Sequence, residues 1–240
     1  MAPDRKTRTL IAHNTIQRSP AIVAEHTDQG ATAHPTFVAE QLSALNQALC
    51  PNPDSDPTPV ETVNADSLAT ARVSVLNLAS DILPAGPLCY SSTLYITLKK
   101  SYYPWPNLGE GCVAGVYSPG VVLPKAERCV VSIITVAASR HPELTPNKRA
   151  SKFPATLADL RGKIRLVYRM AAYNGQQYLV VGAMGCGAYA CPPQLVATEM
   201  RDILLEPEFR GSFRKVVFAI YSAPSNGAGT FEIFRKFLTE

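Results

Sequence analysis

The amino-acid sequence predicts a three-layer α/β/α domain with a mixed central sheet, on three observations. Continuous apolar runs such as YLVVGAM (178–184) and KVVFAIYS (215–222) suit strands covered on both faces. The stretch between them, PPQLVATEMRDILLE (192–206), repeats its apolar residues at helical spacing, as does 156–175 before the first run. From residue 60 onward strands and helices of this kind alternate. At 240 residues, 46% hydrophobic and 18% charged, the chain is long enough for one large domain with a full core.

Taken in order, residues 5–26 hold Leu10, Ile11, Ile16, Ile22 and Val23 and read as a helix interrupted at Pro20. PTFVAEQLSALNQALC (35–50) sets Val38, Leu42, Leu45 and Leu49 on one face, which predicts a second helix with Pro35 near its first turn. The proline-rich PNPDSDPTP (51–59) is an exposed connection. Residues 1–59 are therefore expected to form an N-terminal helical extension packed on the same domain, and 60–240 its core. VETVN (60–64) and RVSVLNLAS (72–80) read as strands, with a helical turn in ADSLATA (65–71) between them. SSTLYITLKKSYY (91–103) reads as a helix, and GVYSPGVVLP (115–124) and RCVVSIITVAA (128–138) as strands. In 156–175, Leu157, Leu160, Ile164, Val167 and Ala171 share a stripe, with Thr156 as N-cap and Gly175 as stop. TFEIFRKFL (230–238) is the last helix.

The formal charge of +4 favours an anionic ligand mildly and supplies no basic tract of the kind a duplex binder shows. MAPDRKTRTLIAHNT has no apolar core of a secretory signal, and no stretch approaches the roughly 18 apolar residues of a membrane span. Cys50, Cys89, Cys112, Cys129, Cys186 and Cys191 form no CxxC pair and read as reduced thiols. Cys186 and Cys191 have no histidine nearby to complete a zinc set, so neither a metal nor a cofactor is expected.

The densest chemical signal is LVVGAMGCGAYACPP (179–193). Gly182, Gly185 and Gly187 bare the main chain after a buried strand, just before a helix opening at Pro192 and Pro193. Unpaired N–H groups at such a place, with the positive end of the helix dipole, make an anion site. The same glycines also suit a tight strand-to-helix turn with no ligand. Tyr189 reads equally as a wall for a sugar or base and as a core aromatic. GAMGCG is neither GxGxxG nor followed by GK[ST], which argues against hydride transfer on a dinucleotide and against a P-loop ATPase.

This loop resembles the second ligand loop of the macrodomain in bacterial-type poly(ADP-ribose) glycohydrolases, whose pattern is close to LVLGAWGCGVFGNDP. VETVNADSLATA (60–71), VSVLNLAS (73–80), CYSSTLY (89–95), VYSPGVVL (116–123), VVSIITVAAS (130–139) and KVVFAIYS are similar to family segments in the same order. The likeness runs from about residue 7 to the end. It implies ligand contacts along Gly182, Ala183, Met184, Gly185, Cys186, Gly187, Ala188 and Tyr189, with Tyr189 beside the distal ribose. It also brings Asn77, Ala79 and Ser80 to the ligand, and Tyr221 or Phe231 to the adenine. Asn77 reads as well as a strand-end hydrogen-bonder, and Tyr221 and Phe231 as core.

In those enzymes a long loop after the VLN(F/L)A strand carries an asparagine, a glycine run and a Gln-Glu-Glu set ahead of a Leu-Cys-x-Ser-Ser helix. Here the segment is SDILPAGPLCYSSTLY (80–95). Alignment on Leu88, Cys89, Ser91 and Ser92 puts Ala85 and Gly86 where the glutamates would stand, with only Asp81, Ile82, Leu83 and Pro84 before them. Cleaving a ribose–ribose bond calls for a positioned acid, which neither alanine nor glycine supplies. Asp81 is a substitute acid or, as the commoner case, a surface or loop-capping aspartate. Glu110 and Glu127 have no partner in sequence that argues for catalysis.

The expected function is thus a non-catalytic reader of terminal ADP-ribose on poly- or mono-ADP-ribosylated proteins. The alternative is an active poly(ADP-ribose) glycohydrolase or ADP-ribosyl hydrolase with a rearranged loop, and a third reading is a partner-binding protein that has lost the ligand. ADP-ribose or poly(ADP-ribose) on modified proteins is the expected partner, with no membrane and no sequence-specific nucleic acid. A monomer in the nucleus, the cytoplasm or both is expected.

Overall fold

The computed structural model describes residues 4–52, 58–63, 73–107, 112–123, 129–147, 152–222 and 229–239. Its helices are α1 (Arg5–Glu25), α2 (Pro87–Ser91), α3 (Pro154–Tyr173), α4 (Pro193–Leu204) and α5 (Thr230–Thr239). The strands are β1 (Thr36–Val38), β2 (Val60–Val63), β3 (Val73–Leu78), β4 (Gly115–Leu123), β5 (Cys129–Val136), β6 (Tyr178–Val181) and β7 (Lys215–Ala219). They form one sheet in the order β1-β4-β5-β3-β6-β7-β2. β5, β3, β6, β7 and β2 run parallel, and β4 and β1 are added antiparallel at one edge.

Alternation along the strands divides the core in two. Val73 and Val75 of β3, with Val131 and Ile133 of β5, meet Cys89, Leu94, Leu98 and Trp105 on one face. Leu76, Ile134 and Val136 meet Ile164, Met170, Met200, Ile203 and Phe234 of α3, α4 and α5 on the other. Burying each large apolar side chain contributes about 1.5–3 kcal/mol. The three layers expected from the apolar runs are present. Among the described residues no helix is long and apolar enough to cross a membrane.

Helix α3 clasps its neighbour through arginines spaced four apart, which therefore share one face. Arg161 reaches Glu199 of α4 at 2.6 and 2.9 Å, Arg165 Nε reaches Glu206 at 2.9 Å, and Arg169 makes two 2.9 Å bonds to Glu208. The helix is capped at its start by Phe153, and Thr156 lies inside its first turn, so Thr156 is not the predicted cap. It stops where predicted, at Gly175, whose φ is +66°.

Two expected helices are absent. Residues 36–38 join the sheet beside β4, and 39–46 take no regular structure. Side chains of the folded core claim this segment's main chain: Arg169 donates to the Leu42 carbonyl at 2.6 Å, Tyr173 to that of Ser43 at 3.2 Å, and Glu208 accepts from the Leu45 amide at 3.3 Å. Leu42 and Leu45 pack on the core while Leu49 is 80% exposed, so the apolar stripe never acts as one face. Among its described residues the N-terminal part is therefore α-helical only over α1, with 3-10 turns at Thr27–Gln29 and Gln47–Leu49, and it lends the sheet an edge strand. Helix α1 itself runs through the exposed Pro20 without the expected interruption.

The helix expected over 91–103 is broken into α2 and 3-10 turns at Thr93–Thr97 and Lys100–Tyr102. Hydroxyls divert its main chain: Ser92 accepts from the Leu94 amide at 3.2 Å and Thr97 donates to the Leu94 carbonyl at 2.7 Å, while Thr93 ties the segment to β4 by accepting from the Val122 amide at 2.9 Å. The turn expected in 65–71 lies outside the described residues.

The Arg169–Glu208 pair is 12% and 15% exposed and the Arg165–Glu206 pair 30% and 30%, which separates them energetically. Arg169→Ala should cost about 3 kcal/mol, since it strands a shielded carboxylate, and Arg165→Ala about 1 kcal/mol or less. Urea unfolding of both variants checks the ranking, and equal losses would refute it.

Candidate ligand-binding site

Strand β3 pairs with β6 only over Val73–Val75, yet stays paired with β5 as far as Leu78. Beyond Val75 and Val180 the two strands part. The chain has by then built β4 and β5 on one side of β3 and crosses through α3 to build β6 on the other. Carboxyl ends of parallel strands at such a reversal leave a crevice. Here it holds a cavity of about 380 Å³ lined by Asn77, Leu78, Pro87, Leu88, Gly182 and Ala219, among others. A second cavity of about 160 Å³ adjoins it at Leu78 and is walled by Ala79, Ala138 and much of the glycine loop, including Gly185, Gly187, Ala188 and Tyr189.

The glycine loop folds on itself. Cys186 donates its amide to the Ala183 carbonyl at 3.1 Å, Ala190 to Gly187 at 3.0 Å, and Cys191 to Gly185 at 3.0 Å. The amides of Gly185, Gly187 and Ala188 make no hydrogen bond among the described residues and remain as donors beside the second cavity. The glycines do different work. At Gly185, with φ +76°, a Cβ would lie 2.6 Å from both the Ala138 Cβ and the Cys191 Sγ, so this position serves the turn and its packing. At Gly187 a Cβ would meet nothing within 4 Å. The first turn of α4 lines neither cavity, which corrects the expectation that a helix start supplies the anion donors. Ala190, at φ 55°, turns the chain away first, and Pro192 and Pro193 have no N–H to offer.

Tyr189 is tied down from three sides. Its hydroxyl donates to the Asp81 carboxylate at 2.7 Å, its carbonyl accepts from the His141 amide at 2.9 Å, and the Arg140 guanidinium lies 5.5 Å from its ring centroid. Arg140 also forms an ion pair with Asp81. The short loop between β3 and α2 is held further by the Trp105 amide, which donates to the Asp81 carbonyl at 3.0 Å. Asp81 is only 4% exposed, so it is no surface aspartate. Burial raises its pKa, but the hydrogen bonds from Arg140 and Tyr189 outweigh that and hold it below the usual carboxylate range. It is ionised at neutral pH and has no proton to give. The Tyr189 hydroxyl has its proton committed to Asp81, so toward the cavity this residue offers a ring.

Behind this clamp lies a second buried charge. Lys163, 2% exposed, donates to Asp159 at 2.9 Å and to the Asn107 side-chain oxygen at 2.7 Å. Ser139 donates to the same Asp159 oxygen, and its carbonyl accepts from the Cys191 thiol at 3.2 Å. Burial draws the Lys163 pKa down against the pull of Asp159, and raises the Cys191 thiol to about 11.

The remaining predicted residues divide. Asn77 is 2% exposed and faces the larger cavity, with its Nδ2 3.4 Å from the Thr135 hydroxyl. Ala183 and Met184 line the smaller one, whereas Cys186 lines neither and has its thiol pKa raised by burial. Ser80 accepts from the Ile82 amide at 3.1 Å, a turn contact. Tyr221 is 69% exposed and Phe231 packs on the core; neither lines either of the two cavities described. Gly86 precedes α2 with φ +105°, and the Ala85 carbonyl accepts from Cys89 at 3.1 Å. Glu110 and Glu127 lie outside the described residues. Among those described, no cluster of His, Cys, Asp and Glu could hold a metal ion.

Sequence reasoning missed Arg140, His141, Asn107, Lys163 and Asp159. Two signals were available: SRHP follows directly on the apolar run of β5, at the carboxyl edge where ligands bind. Asp159 and Lys163 stand i, i+4 on the helix stripe that otherwise carries Leu160 and Ile164.

No protein-family model matches the chain, and no curated protein matches it. Solved structures do. It is similar to the poly(ADP-ribose) glycohydrolase of Deinococcus radiodurans in complex with ADP-ribose, with 30% identity over 76% of this chain and 84% of that one, and a TM-score of 0.64. A second crystal form of that complex gives 30% identity over 80% and 88%, with a TM-score of 0.66. The poly(ADP-ribose) glycohydrolase of Thermomonospora curvata is 25% identical over 97% of this chain and 100% of its own, with a TM-score of 0.74.

The two loop glycines should separate by stability. Gly185→Val forces a side chain into a left-handed φ against Ala138 and Cys191 and should cost about 1–3 kcal/mol or more. Gly187→Ala should stay within about 0.5 kcal/mol of the parent. Chemical denaturation of both measures this, and a Gly185 variant as stable as the parent would contradict the packing described.

Proposed function

Because the chain belongs to the family of bacterial poly(ADP-ribose) glycohydrolases, we propose that it binds the terminal ADP-ribose of modified proteins and does not cleave it. The observation that carries this reading is a kept crevice beside a spent acid. Unpaired amides of the glycine loop border a cavity at the sheet reversal, as a diphosphate requires. The one carboxylate in the loop between β3 and α2 is ionised and pledged to Arg140 and Tyr189. A general acid is typically worth about 10²–10⁴-fold in rate. Neither Asp81 in this state nor Ala85 and Gly86 can act as one. The Arg140 partnership also offsets the repulsion that a bare carboxylate would exert on a diphosphate.

In this reading the pyrophosphate lies along Gly185, Gly187 and Ala188. The distal ribose meets the Tyr189 ring, and Asn77 faces the larger cavity from the end of β3. The loop of residues 79–86 is short, which leaves the distal side open to a chain end. An active hydrolase with rearranged chemistry is the competing reading, and it is favoured by the solved relatives being glycohydrolases.

Calorimetric titration with ADP-ribose should give saturable heat in the micromolar range, and none at high micromolar ligand would end the proposal. Gly187→Ile, which fills the open side of the loop, should weaken that binding by about tenfold or more. Incubated with an automodified polymerase, the purified protein should leave the polymer intact on a gel. Free ADP-ribose accumulating in the mass spectrum would establish the hydrolase instead.

A further inference from the structure

The short loop after β3 and the glycine loop after β6 come from strands that no longer pair, so something else must fix their separation. A carboxylate does so. Asp81, from the first loop, takes the Tyr189 hydroxyl of the second and the Arg140 guanidinium from the end of β5. Arg140 closes the triangle by lying over the Tyr189 ring. Asp81 is itself seated by the Trp105 amide on its own carbonyl. Loops from three neighbouring strand ends thus converge on one buried anion.

We infer that Asp81 is a positioning residue, whose charge pins Tyr189 and so holds the glycine loop in the shape that receives a ligand. The role differs from that of an acid replacing lost glutamates, because it requires the carboxylate to remain ionised throughout. It deepens the ADP-ribose reading and rests on it only for the identity of the ligand. The same anion orients Arg140, whose side chain is partly exposed, whose Nε has no hydrogen-bond partner among the described residues and whose guanidinium contacts Asp81 and Tyr189.

The test is a double-mutant cycle read by amide hydrogen exchange on the ligand-free full chain. The amides of Cys186, Ala190 and Cys191 are bonded within the glycine loop and report its opening. Tyr189→Phe keeps the ring and the Asp81–Arg140 pair, so its fold is secure, and it should quicken exchange at these amides by about tenfold. Asp81→Ala should do as much or more, and Asp81→Asn less, since its amide oxygen still accepts from Tyr189. Adding Asp81→Ala to Tyr189→Phe should contribute little, because the two act through one contact. Exchange in α3 and β5 should stay unchanged in Tyr189→Phe. Unaltered loop exchange in that variant, or two effects that add in full, would overturn the inference. A parallel titration with ADP-ribose separates the two proposals: a parent protein that takes no ligand refutes the binding reading, while the exchange cycle still decides the role of Asp81.

Discussion

The parting of β3 and β6 after three paired residues is the constraint on which the ligand side of this domain depends. Parallel strands are joined by crossovers, and the crossover through α3 carries the chain from one side of β3 to the other. Among the described residues no connection bridges the carboxyl ends of β3 and β6, and the larger cavity lies in the gap between them. The cavity is therefore made by topology rather than by an unusual set of side chains. That explains its lining, which is ordinary strand-end residues such as Val75, Leu78 and Val181, with polar character supplied by Asn77 and by main-chain amides.

A gap of this kind needs rigid banks, and the structure builds them around two buried carboxylates, one paired with the half-buried Arg140 and one with the buried Lys163. Asp81 with Arg140, and Asp159 with Lys163, are held within the same few residues of the β5 end. Burying ions costs several kcal/mol each, recovered only with good geometry and further hydrogen bonds. Both anions have such bonds, from Tyr189 and from Ser139. An apolar cluster of equal volume would be as stable, but it would not fix the angle of a ring or the height of a loop. Directional contacts do this, and they are concentrated where a ligand would enter.

The central strands β3 to β7 were legible in the sequence because they read as largely apolar runs, whereas the edge strand β1 was hidden in a segment with helical spacing. The helices α3, α4 and α5 were legible because each has a stripe, a proline or threonine at its start, or a glycine stop. What failed were segments whose main chain is claimed by side chains, distant ones in 42–45 and the segment's own hydroxyls in 91–103. Arg169, Tyr173 and Glu208 take the carbonyls and amide of 42–45, and hydroxyls of Ser92, Thr93 and Thr97 break up 91–103. No local periodicity encodes a partner more than a hundred residues away. The site was legible to the same degree: the glycine loop and Asn77 are local signals, whereas the Asp81–Tyr189 contact joins residues 108 positions apart.

The glycines of the loop between β6 and α4 answer to two different constraints. Gly185 answers to the fold, because only a residue without Cβ fits against Ala138 and Cys191. Gly187 is free of packing, and its side faces open space. Packing alone therefore accounts for Gly185, whether or not a ligand binds. Packing does not account for Gly187, and this together with the unpaired amides around it is what points to a ligand. The weight of the binding reading therefore rests on Gly187 and Ala188, at the exposed crest of the loop, more than on the glycine pattern as a whole.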